Sequence, residues 1–322
     1  MELKEVPLFG KKVLDEMERI IVGKRKPLED LLVSFLANGH VLFEDYPGLA
    51  KTLIARSFAT TLGCGFRRVQ FTPDLLPTDI TGTYILNRDT NKFELRKGPI
   101  FTNILLGDEI NRAPPKTQAS LLEAMQERQT TIEGDSYVLD PPFLVIATQN
   151  PIEYEGTYPL PEAQLDRFLV KLSVGYPALE DEIEIMARRV QRKQDELKLR
   201  AIGGPKTLVE AQYAVEDVHV DRELLEYITT IVRRTREHPQ VEIGASPRGS
   251  LALLKLGRAH AAFKGRDFVI PDDVKRFAVQ ALSHRLILKA DSWVKGVHPS
   301  NIVNDVLRNT PVPKIPGKDA SA

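Results

Sequence analysis

Cysteine, tryptophan and net charge are scarce in this 322-residue chain. It has one cysteine, Cys64, one tryptophan, Trp293, and 44 Lys and Arg against 44 Asp and Glu. A single cysteine excludes an intrachain disulfide and fits a reducing compartment, so a cytoplasmic location is expected. Zero net charge gives no global attraction to nucleic acid or to an anionic membrane, and it leaves self-association unopposed. No apolar run approaches the ~20 residues of a membrane span. The opening Met1-Glu2-Leu3-Lys4-Glu5 lacks the apolar stretch of a signal peptide. His40, His219, His238, His260, His284 and His298 are scattered without metal-ligand spacing, which excludes a zinc-type site. Arg188-Arg189, Arg192-Lys193 and Arg233-Arg234 have no interleaved aromatics and read as solvated helix faces. Cys64 reads as a small buried hydrophobe, and Trp293 as a packing anchor.

What remains, 42% hydrophobic and 27% charged residues, is the composition of a globular protein with room for two domains. Helical periodicity covers Val13–Ile21 and Leu28–Leu36, and apolar strand patterns lie at residues 41–44, 66–71, 100–106 and 143–148. Hairpin signals fall near 84–95 and 129–138. From Tyr176-Pro177 onward the pattern is helical: 179–199, 208–213, 221–237, 246–263 and 272–283. Residues 1–176 therefore read as an α/β core with a parallel sheet, 177–310 as an α-helical lid and 311–322 as a tail.

Polar motifs fall at the carboxyl ends of the expected strands, where parallel sheets bind ligands. After the strand His40-Val41-Leu42-Phe43-Glu44 comes Asp45-Tyr46-Pro47-Gly48-Leu49-Ala50-Lys51-Thr52, then a helix. Strand, loop, Lys-Thr and helix cradle a triphosphate: backbone N–H groups face the phosphates, lysine reaches the outer ones and threonine ligates Mg²⁺. Asp45 and Ala50 stand where that loop normally has glycine. Asp108-Glu109 ends another strand; one carboxylate suits Mg²⁺, the other suits orienting and deprotonating water. Asn150 could hold that water, and Arg167 and Arg248 could each meet a phosphate. Taken singly, Asn150 reads better as a turn residue before Pro151 and the two arginines as surface ion pairs, while Asp108-Glu109 reads less well as an acidic turn.

The order and wording of these motifs closely resemble the MoxR family of AAA+ ATPases. The resemblance is carried by residues 42–52, by Gln70-Phe71-Thr72-Pro73-Asp74-Leu75-Leu76-Pro77-Thr78-Asp79-Ile80-Thr81-Gly82, by the run Asp108 to Gln118, and by Ala147-Thr148-Gln149-Asn150-Pro151 and Pro161 to Phe168. It spans about Ile21 to Leu288. It implies an AAA+ P-loop core with a five-stranded parallel sheet, a helical lid, ATP and Mg²⁺ as cofactors, and ATP hydrolysis. By position, Lys51 and Thr52 resemble the Walker A pair, Asp108 and Glu109 Walker B, Asn150 sensor one, Arg167 the arginine finger and Arg248 the sensor-two arginine. The implied nucleotide-binding set is Val22, Gly23, Asp45, Tyr46, Pro47, Gly48, Leu49, Ala50, Lys51, Thr52, Leu53, Asp108 and Arg248, with Thr52 and Asp108 holding the metal. Lys24 stands where glutamine is common in the adenine-contacting segment. A finger acting in trans implies a homo-oligomeric ring, a hexamer. The hairpins resemble insertions that project towards the pore and handle a client. The implied client is a protein remodelled or loaded with metal, bearing a von Willebrand factor A domain. A DNA-directed motor and a non-hydrolysing nucleotide switch are the rival readings; balanced charge opposes the first and the Asp108-Glu109 pair the second.

Overall fold

The computed structural model describes residues 1–151, 156–194 and 198–313. Two helices open the chain, Val6–Met17 (α1) and Arg25–Leu36 (α2). The first lies further towards the N-terminus than the periodicity suggests. Pro7 sits in its opening turn, where a missing N–H costs nothing. It closes when the N–H groups of Ile20 and Ile21 both turn back to Met17 O. Strand Val41–Glu44 (β1) then feeds helix Lys51–Thr61 (α3), and strand Phe66–Gln70 (β2) leads to the short helix Pro77–Thr81 (α4). Strands Gly82–Asn87 (β3) and Lys92–Lys97 (β4) form the first hairpin. Strand Ile104–Asp108 (β5) precedes helix Pro115–Glu127 (α5) and the second hairpin, Gln129–Ile132 (β6) with Asp135–Val138 (β7). Strand Leu144–Gln149 (β8), the single turn Glu162–Leu165 (α6) and strand Val170–Leu172 (β9) complete the sheet.

All five strands of that sheet are parallel, in the order β2-β5-β8-β1-β9. Strand alternation sorts the apolar residues cleanly. Val41, Phe43, Ile104, Leu106, Leu144 and Ile146 join α1, α2, α3 and the C-terminal helices in one core, whereas Leu42, Val69, Leu105, Val145 and Ala147 face α5 in another. The expected parallel sheet, covered by helices on both faces, is what forms. His40, just before β1, is fully buried. Its Nδ1 accepts from Val145 N at 3.0 Å and its Nε2 meets Met125 O at 2.9 Å, and burial holds its pKa well below the usual histidine range.

The C-terminal part is helical: Leu179–Arg192 (α7), Pro205–Glu216 (α8), Arg222–Glu237 (α9), Pro247–Phe263 (α10) and Pro271–Leu282 (α11). The expected helix over 179–199 stops at Lys193, which turns left-handed at φ 58°; residues 195–197 of that expectation, like 314–322 of the tail, lie outside the described residues. A two-stranded ribbon, Val241–Ile243 (β10) with Ile287–Leu288 (β11), and two last helices, Ala290–Val294 (α12) and Pro299–Asn309 (α13), have strand runs or apolar stripes too short to stand out in the sequence. Cys64 is half-buried against the core, and burial pushes its thiol to about 11. Trp293 is exposed, not a packing anchor. Among the described residues no helix is long and apolar enough to cross a membrane.

Candidate active site

The loop between β1 and α3 is shaped by two left-handed residues, Gly48 at φ 81° and Ala50 at φ 57°. Alanine pays roughly 1–2 kcal/mol for that conformation, so this position uses the backbone geometry of glycine without glycine. The loop and the start of α3 wall a cleft of about 370 Å³ with Asp108, Glu109, Thr148 and Asn150 on its far side. Pro47, Gly48, Leu49, Ala50, Lys51, Thr52 and Leu53 thus share one cavity with the strand-end residues. Lys51 Nζ donates to the loop's own carbonyls, Asp45 O at 2.7 Å and Tyr46 O at 3.0 Å. Burial lowers its pKa, opposed by Asp45, Asp108 and Glu109.

Asp108 ends β5 at the register position of Gln70 on β2. Its Oδ1 accepts from Thr148 Oγ1 at 2.6 Å. Its Oδ2 accepts from Arg68 Nη2 at 2.7 Å and Nε at 3.1 Å, with Thr52 Oγ1 at 3.4 Å. Glu109 takes the left-handed conformation at φ 55°, and Thr148 Oγ1 accepts its N–H at 2.8 Å. Its Oε2 accepts from Gln70 Nε2 at 2.7 Å and from Arg112 Nη1 at 3.0 Å. Arg68, Gln70 and Thr148 are parts of the site that sequence reading missed. Gln70 and Thr148 lie inside motifs that carry the resemblance, but nothing in those motifs names their partners. Arg68 and Thr148 reach Asp108 across neighbouring strands, and no local spacing marks that.

Asp45 does something other than face the cleft. Its carboxylate accepts from Ser173 Oγ at 2.7 Å, Val174 N at 2.5 Å and Gly175 N at 3.3 Å, so it fastens the loop to the chain leaving β9. Tyr46 also stays outside the cleft lining, stacked at a tilt 6.1 Å from Tyr176. Val22-Gly23 lies beside the start of α7: a side chain on Gly23 would overlap the Asp181 carboxylate, and Lys24 Nζ donates to Tyr176 O at 2.7 Å.

Arg167 and Arg248 do not line the Lys51 cleft. They share a second cavity, of about 390 Å³, with Arg128, Lys255 and Arg285. Arg167 Nε is buried with no hydrogen-bond partner among the described residues. Asp166 organises this cationic cavity. It accepts from Arg285 Nε at 2.7 Å and Ser246 Oγ at 2.9 Å, and Ser246 Oγ in turn caps α10 by accepting Arg248 N at 3.1 Å. Arg285 is 3% exposed, and Asp166→Ala leaves its guanidinium with backbone carbonyls and no counter-charge. The substitution is expected to lower folding stability by about 3 kcal/mol, read as a shifted urea midpoint. An unmoved midpoint would show that the backbone carbonyls around Arg285 suffice.

Known proteins place this arrangement. A family model described as "ATPase family associated with various cellular activities (AAA)" matches residues 40–170, and one for an AAA lid domain matches residues 233–306. The chain is 47% identical to the uncharacterised protein YeaC of Bacillus subtilis over 95% of each chain. It is 44% identical to the chaperone MoxR1 of Mycobacterium tuberculosis over 93% of this chain and 81% of that one. The crystal structure of a Cytophaga hutchinsonii protein, provisionally assigned as an ATPase, superposes with a TM-score of 0.90 at 41% identity, covering 96% of both chains. With the sheet order, the Lys51 cleft and these full-length likenesses together, the chain belongs to the MoxR family of AAA+ ATPases.

Proposed function

We propose that the protein is an Mg²⁺-dependent ATP hydrolase that works as a ring of identical copies, a hexamer, and remodels a client protein. One observation carries the reading: Lys51, Thr52, Asp108, Glu109 and Asn150 share one cavity while Arg167 and Arg248 share another. Arg68 and Arg112 stand by the first cavity but are engaged by Asp108 and Glu109, so a triphosphate there would lack a guanidinium aimed at its phosphates. A neighbouring copy that presents its second cavity supplies it. Residues 1–176 serve as the core and 177–310 as the lid.

In this reading Lys51 turns from the carbonyls of Asp45 and Tyr46 to the outer phosphates, and the N–H groups at the start of α3 meet the rest. Thr52 and Asp108 present the all-oxygen donor set a hard divalent cation takes, and would hold Mg²⁺. When bound, Mg²⁺ offsets the charge on the phosphate oxygens during transfer. Glu109 takes a proton from the attacking water, and Asn150 holds that water in line. Val22, Gly23, Tyr46 and Leu53 flank the nucleotide, while Asp45 acts as an anchor behind the loop.

The client side falls to the two hairpins. They brace each other through Tyr84 Oη and Tyr137 Oη and through Thr83 Oγ1 to Glu133 Oε1 at 3.4 Å, and they leave Phe93 71% exposed. The client is a protein bearing a von Willebrand factor A domain, and no nucleic acid is involved. The test is phosphate release from ATP with and without Mg²⁺, with and without DNA, alongside assembly size in ATP. Lys51→Ala is expected to weaken ATP binding by about 10- to 100-fold. Unchanged ATP affinity in that variant would sink the site.

A further inference from the structure

Arg68 lies on the edge strand β2 and places Nε and Nη2 at 3.1 and 2.7 Å from Asp108 Oδ2. That is the oxygen Thr52 Oγ1 approaches to 3.4 Å. The same Nη2 donates to Gln70 Oε1 at 2.6 Å. An amide whose oxygen is taken in this way presents its NH₂ on the other side, and Gln70 Nε2 donates to Glu109 Oε2 at 2.7 Å. One guanidinium therefore stands on a carboxylate oxygen suited to a divalent cation and, through one amide, sets a donor on Glu109. Arg68 is 47% exposed, so its head group can leave for water at little cost.

We propose that Arg68 is a positioning residue that holds the place of the divalent cation at Asp108 and couples the cation's arrival to the release of Glu109 by Gln70. The inference rests on the nucleotide reading of the cleft. Two cations on one carboxylate oxygen repel each other, so Arg68 yields Oδ2 when a divalent ion takes it. In leaving, it drops Gln70 Oε1; the amide is free to rotate away from Glu109, which Arg112 Nη1 still meets at 3.0 Å. Before the cation arrives, Arg68 neutralises Asp108 and spares incoming phosphates its repulsion. The device thus sets two things at once: how much divalent ion the site needs, and when Gln70 lets go of Glu109.

The test is equilibrium binding of N-methylanthraniloyl-ATP by fluorescence, titrated with MgCl₂ and repeated in EDTA. With Arg68→Ala, the half-saturating Mg²⁺ concentration is expected to fall by about three- to fivefold and the affinity in EDTA to weaken by a similar factor, the range open to an exposed ion pair. Arg67→Ala removes the neighbouring exposed arginine of β2 and leaves Arg68 on Asp108; it is expected to keep the parental Mg²⁺ midpoint, which separates loss of the placeholder from general disturbance of β2. The same midpoint in the parent and in a folded Arg68→Ala protein, checked by circular dichroism, would overturn the proposal. Should that variant not fold, Arg68→Gln removes the charge and keeps a polar side chain, and its midpoint decides the matter in the same way. Parental binding that ignores Mg²⁺ altogether would overturn both this proposal and the nucleotide reading, whereas parental Mg²⁺ dependence with an unmoved variant overturns this one alone.

Discussion

Arg167→Ala is expected to bind ATP as the parent does and to turn it over about 10³-fold more slowly. The reason is positional. Arg167 shares its cavity with Arg248 and Arg128, none of which lines the Lys51 cleft, so its charge is missing from a neighbour's phosphates and not from its own. Mixing is the sharper measurement. An Arg167→Ala copy keeps an intact cleft, and a Lys51→Ala copy keeps an intact finger. In randomly mixed rings half the clefts carry Lys51 and half their neighbours carry Arg167, so equal parts should regain about a quarter of parental turnover. Two inactive proteins that stay inactive together would remove the role in trans.

Glu109→Gln is the second large effect, a loss of about 10²- to 10⁴-fold in phosphate release with ATP binding retained. A glutamine here keeps the shape of the side chain. Its amide oxygen can still accept from Gln70 Nε2 or Arg112 Nη1, the two donors that hold Glu109 now. The left-handed backbone at 109 and its N–H to Thr148 Oγ1 are untouched, so the fold should not change. What disappears is the base. Normal turnover in the purified variant would end the assignment of Glu109. Slowed turnover makes the same protein a trap, and what stays bound to it in ATP names the client.

The legible part of this molecule was the part written in periodicity and in order. Continuous apolar runs gave the buried strands around Ile104 and Leu144, and the hairpins at 84–95 and 129–138 formed, the first around Asp89-Thr90-Asn91 and the second at Glu133-Gly134, one residue before the expected Gly134-Asp135. Boundaries slipped where side chains outside the element decided them. Periodicity alone did not show that α1 starts at Val6, since its first turn is justified by burial of Val6 and Phe9 against helices far along the chain. The strand-end residues were nameable because each follows an apolar run. Their supporting partners were not. Arg68, Gln70 and Thr148 reach Asp108 and Glu109 only through strand order, and Asp166 gains its importance from Arg285, 119 residues away. The separation of Arg167 and Arg248 from Lys51 was also invisible, because motif order along a chain carries no information about which cavity each motif enters.

Asp45 has a consequence for how such a loop tolerates substitution. In a glycine-type phosphate loop the position is free to stay small. Here its carboxylate is the shared acceptor for Ser173 Oγ and the N–H groups of Val174 and Gly175. Reversion to glycine would leave those donors, one of them on a buried residue, without a partner, at about 1–3 kcal/mol for each buried group. Position 45 and the turn after β9 are therefore energetically tied, and substitutions at the two are not expected to add. Asp45 is thus one half of a two-site device, and a glycine there should cost less once the donors at 173–175 are changed as well.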